Sequence, residues 1–259
     1  MTAEPQFIDS GGKRLESRAI GDVAGAGPVL VFLHEALGSV SLWRDVPDRL
    51  AAMTRLPAFV YSRAGYGRSD PVDLPRPTHF HEIEAWDVLP EVLDAAGIER
   101  AVMIGHSDGG TIALMAAERD RRVRAVVTMA GHVMNEDVTR RGIADFTKTW
   151  ATTDIRAKLE RHHGANVDIA YRAWSETWLH DDFRDWNVEA GLPAVTCPVL
   201  IVQGENDAYG TMAQVEAIRA GVSGPSQVLI IPGCGHIPHF EAPDALFSRI
   251  NQFIAELRL

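Results

Sequence analysis

Uninterrupted apolar runs alternate with stretches of helical period along most of this chain. The runs are Val29-Leu30-Val31-Phe32-Leu33, Ala58-Phe59-Val60-Tyr61, Ala101-Val102-Met103-Ile104 and residues 123–129, followed much later by Val199-Leu200-Ile201-Val202 and Val228-Leu229-Ile230-Ile231. Runs without polar alternation are expected of strands buried on both faces. Between them, residues 41–50 put Trp43, Val46 and Leu50 on one helical face, and residues 81–97 repeat Ile83, Trp86, Leu89, Val92 and Leu93 at the same period. Residues 111–118, 212–220 and 245–257 also read as helices. Strand–helix–strand connections of this length favour a parallel sheet with helices on both faces. Ahead of it, Phe7-Ile8 and residues 15–20 read as a hairpin turning at Asp9-Ser10-Gly11-Gly12.

The alternation breaks between residues 132 and 192. No strand-like run occurs there, and helical segments are expected over 138–150, 155–163 and 167–179. Four of the six tryptophans fall in this stretch: Trp150, Trp174, Trp178 and Trp186. The pattern divides the chain into an α/β core, residues 1–131 and 193–259, and an inserted helical cap, residues 132–192. The insertion reads as a subdomain with its own small core, as a lid whose aromatic face covers a site, or as both.

Composition narrows the class. With 259 residues, 46% hydrophobic and 23% charged, the chain suits one large α/β domain or two small ones. A formal net charge of −10 argues against nucleic acid and anionic membrane surfaces as partners. No apolar stretch is long enough to span a bilayer, and residues 1–6 carry neither the basic nor the apolar region of a signal peptide. The two cysteines, Cys197 and Cys234, make no disulfide framework, which points to a reduced, cytoplasmic setting. Neither sits in a ligand-like cluster, so no metal and no cofactor is expected. Oligomeric state leaves no mark on the pattern.

Candidate chemistry concentrates where the run 101–104 ends, at Gly105-His106-Ser107-Asp108-Gly109-Gly110. A serine flanked by glycines between a buried strand and a helix is a nucleophile elbow. The glycines relieve the crowding of a strained turn, and the helix N-terminus behind the serine favours developing negative charge. Serine needs a base, and the base needs a carboxylate to orient it. On a parallel sheet these partners come from loops beyond the carboxyl ends of strands. Asp207, after the run 199–202, is the preferred acid, ahead of Glu205 and of Glu136 and Asp137. His236, five residues beyond the run 228–231 and preceded by Gly233-Cys234-Gly235, is the preferred base. His239 is assigned to the pocket lining or to a helix cap, and His106 is expected to point away from the serine. The oxyanion hole is expected from the backbone N–H of Asp108 and of Ala36, with Glu35 as the alternative. Trp150, Trp174 and Trp178 are the candidate substrate-facing residues of the insertion.

With these residues in hand the chain resembles the α/β-hydrolase superfamily. The resemblance covers nearly all of it and rests on Leu33-His34-Glu35, Ser62-Arg63-Ala64-Gly65-Tyr66-Gly67-Arg68-Ser69, the elbow, Gly204-Glu205-Asn206-Asp207 and Gly235-His236-Ile237-Pro238. It implies the α/β-hydrolase fold and a Ser-Asp-His triad at Ser107, Asp207 and His236. Glu35 departs from it, because a glycine usually follows the first landmark's histidine; a carboxylate there could steer substrate or bond within the loop. Ser107-Asp108-Gly109-Gly110, Leu37-Gly38-Ser39 and residues 138–150 look like valacyclovir hydrolase-type amino-acid ester hydrolases, which implies that Asp108 reads a substrate's α-amino group. The expected function is hydrolysis of small carboxylic esters through an acyl-enzyme on Ser107. The alternatives are C–C bond hydrolysis of a ring-cleavage product, for which Arg140, Arg141 and Arg156 would supply cations, and a ligand-binding receptor on the same fold.

Overall fold

The structure, a computed structural model, describes residues 6–257. The stretch read for a signal peptide therefore lies outside the described residues, apart from Gln6. Eight strands form: β1 (Gln6–Ser10), β2 (Lys13–Ile20), β3 (Val29–Leu33), β4 (Ala58–Tyr61), β5 (Ala101–His106), β6 (Val123–Met129), β7 (Val199–Gly204) and β8 (Ser226–Ile231). They make one sheet in the order β1-β2-β4-β3-β5-β6-β7-β8. β1 with β2 and β2 with β4 pair antiparallel, and every later pair is parallel.

Among the described residues ten α-helices accompany the sheet: α1 (Val46–Thr54), α2 (Phe80–Ile83), α3 (Leu89–Ala95), α4 (Asp108–Arg119), α5 (Asp137–Thr152), α6 (Ile155–His163), α7 (Val167–Leu179), α8 (Met212–Gly221), α9 (Pro238–Glu241) and α10 (Pro243–Glu256). Alternate strand residues serve two cores. Val29, Val31 and Leu33 of β3 pack with α3, α4 and α8. Leu30 and Phe32 pack with α1 and α10 on the other face. Because both faces are covered, β3 carries apolar residues at every position. β8 is the exception. It closes the sheet, and Val228 is 38% exposed there, although its apolar run reads like that of a central strand.

Prolines account for two departures from the helical pattern. The helix expected over 41–50 divides into a 3₁₀ turn at Ser41–Trp43 and α1, which has proline in its first turn. Pro47 has no N–H to give, and a first turn needs none. The period at 81–97 is likewise broken: residues 84–88 form a wider π turn, and α3 restarts at Leu89 with Pro90 in its first turn.

Residues between β6 and β7 contribute α5, α6 and α7 and no strand, only a single bridge between Met134 and Asn187. Ile143, Trp174, Trp178 and Phe183 of this stretch form a third core with Ala36 and Phe80, residues of the α/β part. The insertion is thus seated on the loop after β3. Val133 and Leu192, at its two ends, are buried in the main core instead.

Backbone meets backbone closely where β5 passes into α4. A Cβ on Gly105 would overlap the carbonyl of Gly109, and one on Gly109 would overlap the carbonyl oxygen of Leu33 at the end of β3. These neighbours are backbone and cannot move aside. Gly109→Ala is therefore expected to destabilise the protein by roughly 3 kcal/mol or more. Gly27→Ala, where an added Cβ meets nothing within 4 Å, should stay within about 0.5 kcal/mol of the parent in urea denaturation.

Candidate active site

Ser107 sits between β5 and α4 with φ 51° and ψ −119°, a left-handed conformation rare for a residue with a side chain. Such strain costs about 1–3 kcal/mol and persists only where the surroundings enforce it. Here the hydrogen bond from Ser107 N–H to the Met129 carbonyl, at 2.8 Å, and the glycine crossing enforce it. Ser107 is 7% exposed and lines a cavity of ≈ 320 Å³ that is also lined by Asp108, His132, Trp178, Tyr209 and His236.

Asp207 and His236 come together. His236 Nδ1 is 2.9 Å from both carboxylate oxygens of Asp207. Asp207 Oδ1 also accepts the Tyr209 N–H at 2.8 Å, and Oδ2 accepts from Gln203 Nε2 at 2.8 Å. Burial opposes the Asp207 charge, but the hydrogen bond and charge of His236, helped by the Tyr209 N–H, outweigh it and hold the carboxyl below its ordinary range. Two of the rival acids, Glu205 and Glu136, are committed elsewhere. Glu205 accepts the Gly233 N–H at 2.9 Å, and Glu136 bonds Thr211 and Gln214. His106 does not line the cavity, yet it contacts His236: its Nε2 lies 2.8 Å from the His236 carbonyl oxygen, so that nitrogen is the donor.

The loop after β3 is held by Arg63, whose side chain is buried. Arg63 Nη1 donates to the His34 carbonyl at 2.6 Å and Nη2 to the Glu35 carbonyl at 3.1 Å. In a trans peptide the N–H points opposite to the C=O. Anchoring those carbonyls therefore turns the N–H groups of Glu35 and Ala36 away from Arg63. Among the described residues the N–H groups of Glu35, Ala36 and Asp108 find no protein acceptor. The Glu35 side chain folds over Gly38 and approaches His106 Nδ1 at 3.5 Å. Burial opposes its charge as well, and His106 outweighs it and holds Glu35 well below the usual carboxylate range.

Asp108 is 1% exposed. Its Oδ1 accepts from Trp178 Nε1 at 3.2 Å and lies 3.4 Å from His81 Nε2, while Oδ2 has no protein partner. Burial disfavours the charge, but the His81 contact and the positive charges of Arg76 and Arg63 prevail, so Asp108 stays ionised. His81, wholly buried among Phe80, Phe183 and Trp186, is itself driven down by that burial.

Of the aromatic candidates, Trp174 and Trp178 line the cavity. Trp150 lies outside it, because it stacks on Tyr171 at 4.0 Å between α5 and α7. His239 also lies outside; it is buried in α9 against Trp43, and burial, reinforced by His106, pushes it down to about 3. Arg140 and Arg156 do not reach the cavity either. Arg140 donates to the carbonyls of Trp178, Leu179 and His180, and Arg156 pairs with Asp168. Arg141 is not part of the lining. Residues the pattern missed include His132, Tyr209, Phe146 and Arg44. His132 faces the His236 ring at 6.0 Å, and burial, reinforced by His236, pushes it down to about 4. Its place in the loop after β6, at the same sheet edge as the elbow, is the signal that could have found it.

Residues 30–249 match the profile of the alpha/beta hydrolase family. The chain is 30% identical over 201 residues to the serine hydrolase BPHL of Homo sapiens, a match spanning 73% of this chain and 66% of that protein, just under two thirds of its length. It is 24% identical over 268 residues to a pimeloyl-(acyl-carrier protein) methyl ester esterase of Xylella fastidiosa, across 91% of this chain and 98% of that one. Among solved structures, the enol-lactonase from Burkholderia xenovorans LB400 matches with a TM-score of 0.73 at 19% identity, over 97% of this chain and 100% of that one. A thermophilic esterase from Thermogutta terrifontis matches with a TM-score of 0.75 at 18% identity, over 99% and 100%. Both structures share the fold.

The carboxyl of Asp207 is held below its unfolded value of roughly 3.9. Its contribution to stability is therefore complete above that pH and is lost as pH falls through the lower folded value. Asp207→Asn should be less stable than the parent at pH 7 by about 1–3 kcal/mol. That gap should close progressively below pH ~4, as read by urea denaturation across pH; a gap unchanged at acid pH would contradict the assignment.

Proposed function

The chain belongs to the alpha/beta hydrolase family, and from that premise we propose that it is a serine hydrolase cleaving small carboxylic esters through an acyl-enzyme on Ser107. One observation carries the reading. The His236 ring is held by both oxygens of Asp207 at 2.9 Å, and that ring and Ser107 line one cavity. With Nδ1–H committed to Asp207, the lone pair of Nε2 is left for the serine proton.

In this mechanism His236 Nε2 takes the proton from Ser107 Oγ as the oxygen attacks the ester carbonyl. Negative charge moves to the carbonyl oxygen, where the N–H groups of Asp108 and Ala36, with Glu35 as the alternative second donor, and the N-terminus of α4 stabilise it. The tetrahedral intermediate collapses, His236 passes its proton to the leaving alcohol, and the acyl group stays on Ser107. Water, deprotonated by His236, then attacks the acyl carbonyl and releases the acid. Asp207 remains ionised and stabilises the imidazolium in both halves. Residues 132–192 act as the cap, since Ile143, Phe146, Leu159, Trp174 and Trp178 supply apolar lining from that side.

Asp108 narrows the substrate. Its Oδ2 is a buried carboxylate oxygen without a protein partner, one residue from the nucleophile. An ionised oxygen left unpaired is costly unless a ligand donates to it. A substrate α-ammonium would do so, and this supports amino-acid esters as preferred substrates. The esterase names among the relatives favour esters over C–C bonds. Arg140, Arg141 and Arg156, the cations considered for a dienol-carboxylate, do not line the cavity.

Ser107→Ala should lower ester hydrolysis by roughly 10³-fold or more with the fold intact; near-full activity in that variant would refute the nucleophile. Asp108→Asn should reduce kcat/KM for α-amino esters by about tenfold or more relative to the matching des-amino esters. An equal loss on both would leave Asp108 with a backbone role only.

A further inference from the structure

One side chain in the cavity is used by neither the proposed chemistry nor the amine contact. Arg44 lies just before α1, with φ 52° and ψ −123°, and its backbone N–H closes the 3₁₀ turn on the Ser41 carbonyl at 3.3 Å. Its side chain is exposed to solvent yet lines the cavity, so it stands where the cavity opens. The guanidinium sits over the Phe240 ring at 4.5 Å, and Phe240 lines the same cavity. Stacking on an aromatic face fixes the plane of the fork and leaves its N–H edge for a ligand.

No carboxylate among the described residues lies within ion-pair distance of Arg44, in contrast to Arg18, Arg122, Arg140, Arg156 and Arg172, which are all paired. The ionisable groups that feel its charge from the packed elements are His162 of α6 and His239 of α9. Burial lowers both, and the Arg44 charge adds to it. The protein as a whole carries a formal charge of −10, and Glu35 and Asp108 put negative charge elsewhere in the lining. An anion entering the cavity is repelled from the elbow and drawn to Arg44. The lining of that cavity is otherwise largely apolar, with Leu37, Leu42, Ile155 and Leu159 among its residues.

We propose that Arg44 is an anion subsite that recognises a carboxylate carried at the far end of the substrate's apolar chain, so that half-esters of dicarboxylic acids are favoured over their neutral diesters. This rests on the ester-hydrolase reading for the word substrate, but the recognition step is a binding event and is testable without turnover. The paired charges also set direction: the carboxylate end turns toward Arg44 and the ester end toward Ser107.

The test is calorimetric binding of monomethyl suberate and dimethyl suberate to the Ser107→Ala protein, in which neither ester is consumed. The half-ester should bind about tenfold more tightly than the diester at low ionic strength, equivalent to about 1.4 kcal/mol. The preference should shrink as salt is added. Adding Arg44→Met, which keeps the apolar stem over Phe240, should reduce it to about twofold or less, and Arg44→Lys should retain part of it. Thermal unfolding of each variant establishes that the fold is retained. Equal affinity for the two esters, no binding of either, or a preference that survives Arg44→Met would overturn the subsite. Hydrolysis of dimethyl suberate by the parent protein judges the ester-hydrolase reading separately.

Discussion

The site depends on a backbone crossing. The start of α4 is pressed so closely on the end of β3 that position 109 has no room for a Cβ beside the Leu33 carbonyl, and Gly105 is pressed as closely on Gly109. That single contact has two consequences. It leaves Ser107 in a left-handed conformation at the apex of the turn, which lifts its hydroxyl off the sheet edge. It also brings the loop after β3, with His34, Glu35 and Ala36, alongside the serine. Arg63, from the loop after β4, completes the arrangement by holding the His34 and Glu35 carbonyls from behind. Ser107 and the loop after β3 are thus positioned by packing between main chains, where no side-chain rearrangement can loosen them.

Around that crossing the protein buries several carboxylates and treats them differently. Both oxygens of Asp207 are engaged, by His236, Tyr209 and Gln203. A group so fully bonded serves to orient its partner. Asp108 is buried as deeply but bonded through one oxygen only. Burial without full pairing is expensive, and proteins retain it where a ligand supplies the missing contact. Glu35 lies between these cases, folded over Gly38 toward His106, which in turn lies against the His236 carbonyl. The departure from the usual glycine is accommodated within the loop, and it links the donor loop to the backbone of the proposed base through one imidazole.

Most of the sheet was legible in the sequence because burial on both faces writes itself as unbroken apolar runs. The two places where helices broke, at Arg44 and over 84–88, were not, since a helical period does not show where a proline must sit in a first turn. Ser107, Asp207 and His236 stand out in the sequence because each follows a strand at one sheet edge, and the structure pairs His236 with Asp207 and puts Ser107 and His236 in one cavity. Trp174 and Trp178 face the cavity while Trp150 does not, and that split depends on how α5 and α7 rotate against each other. Arg44 and His132 belong to no motif: His132 is marked only by following β6 at the elbow's sheet edge, and Arg44 joins the cavity beside Phe240. Charge pairing was equally hidden: Arg140 and Arg156 read as free cations until Trp178, Leu179, His180 and Asp168 were seen to take them.

The most direct measurement is to react the protein with a fluorophosphonate ester and map the adduct by peptide mass spectrometry, comparing the parent with His236→Ala. One adduct per chain should form on Ser107, and the variant should label slower by roughly 10²-fold or more, as expected when a general base is removed. Labelling at any other residue, or labelling of Ser107 at an equal rate without His236, would contradict a nucleophile at the elbow activated by that histidine.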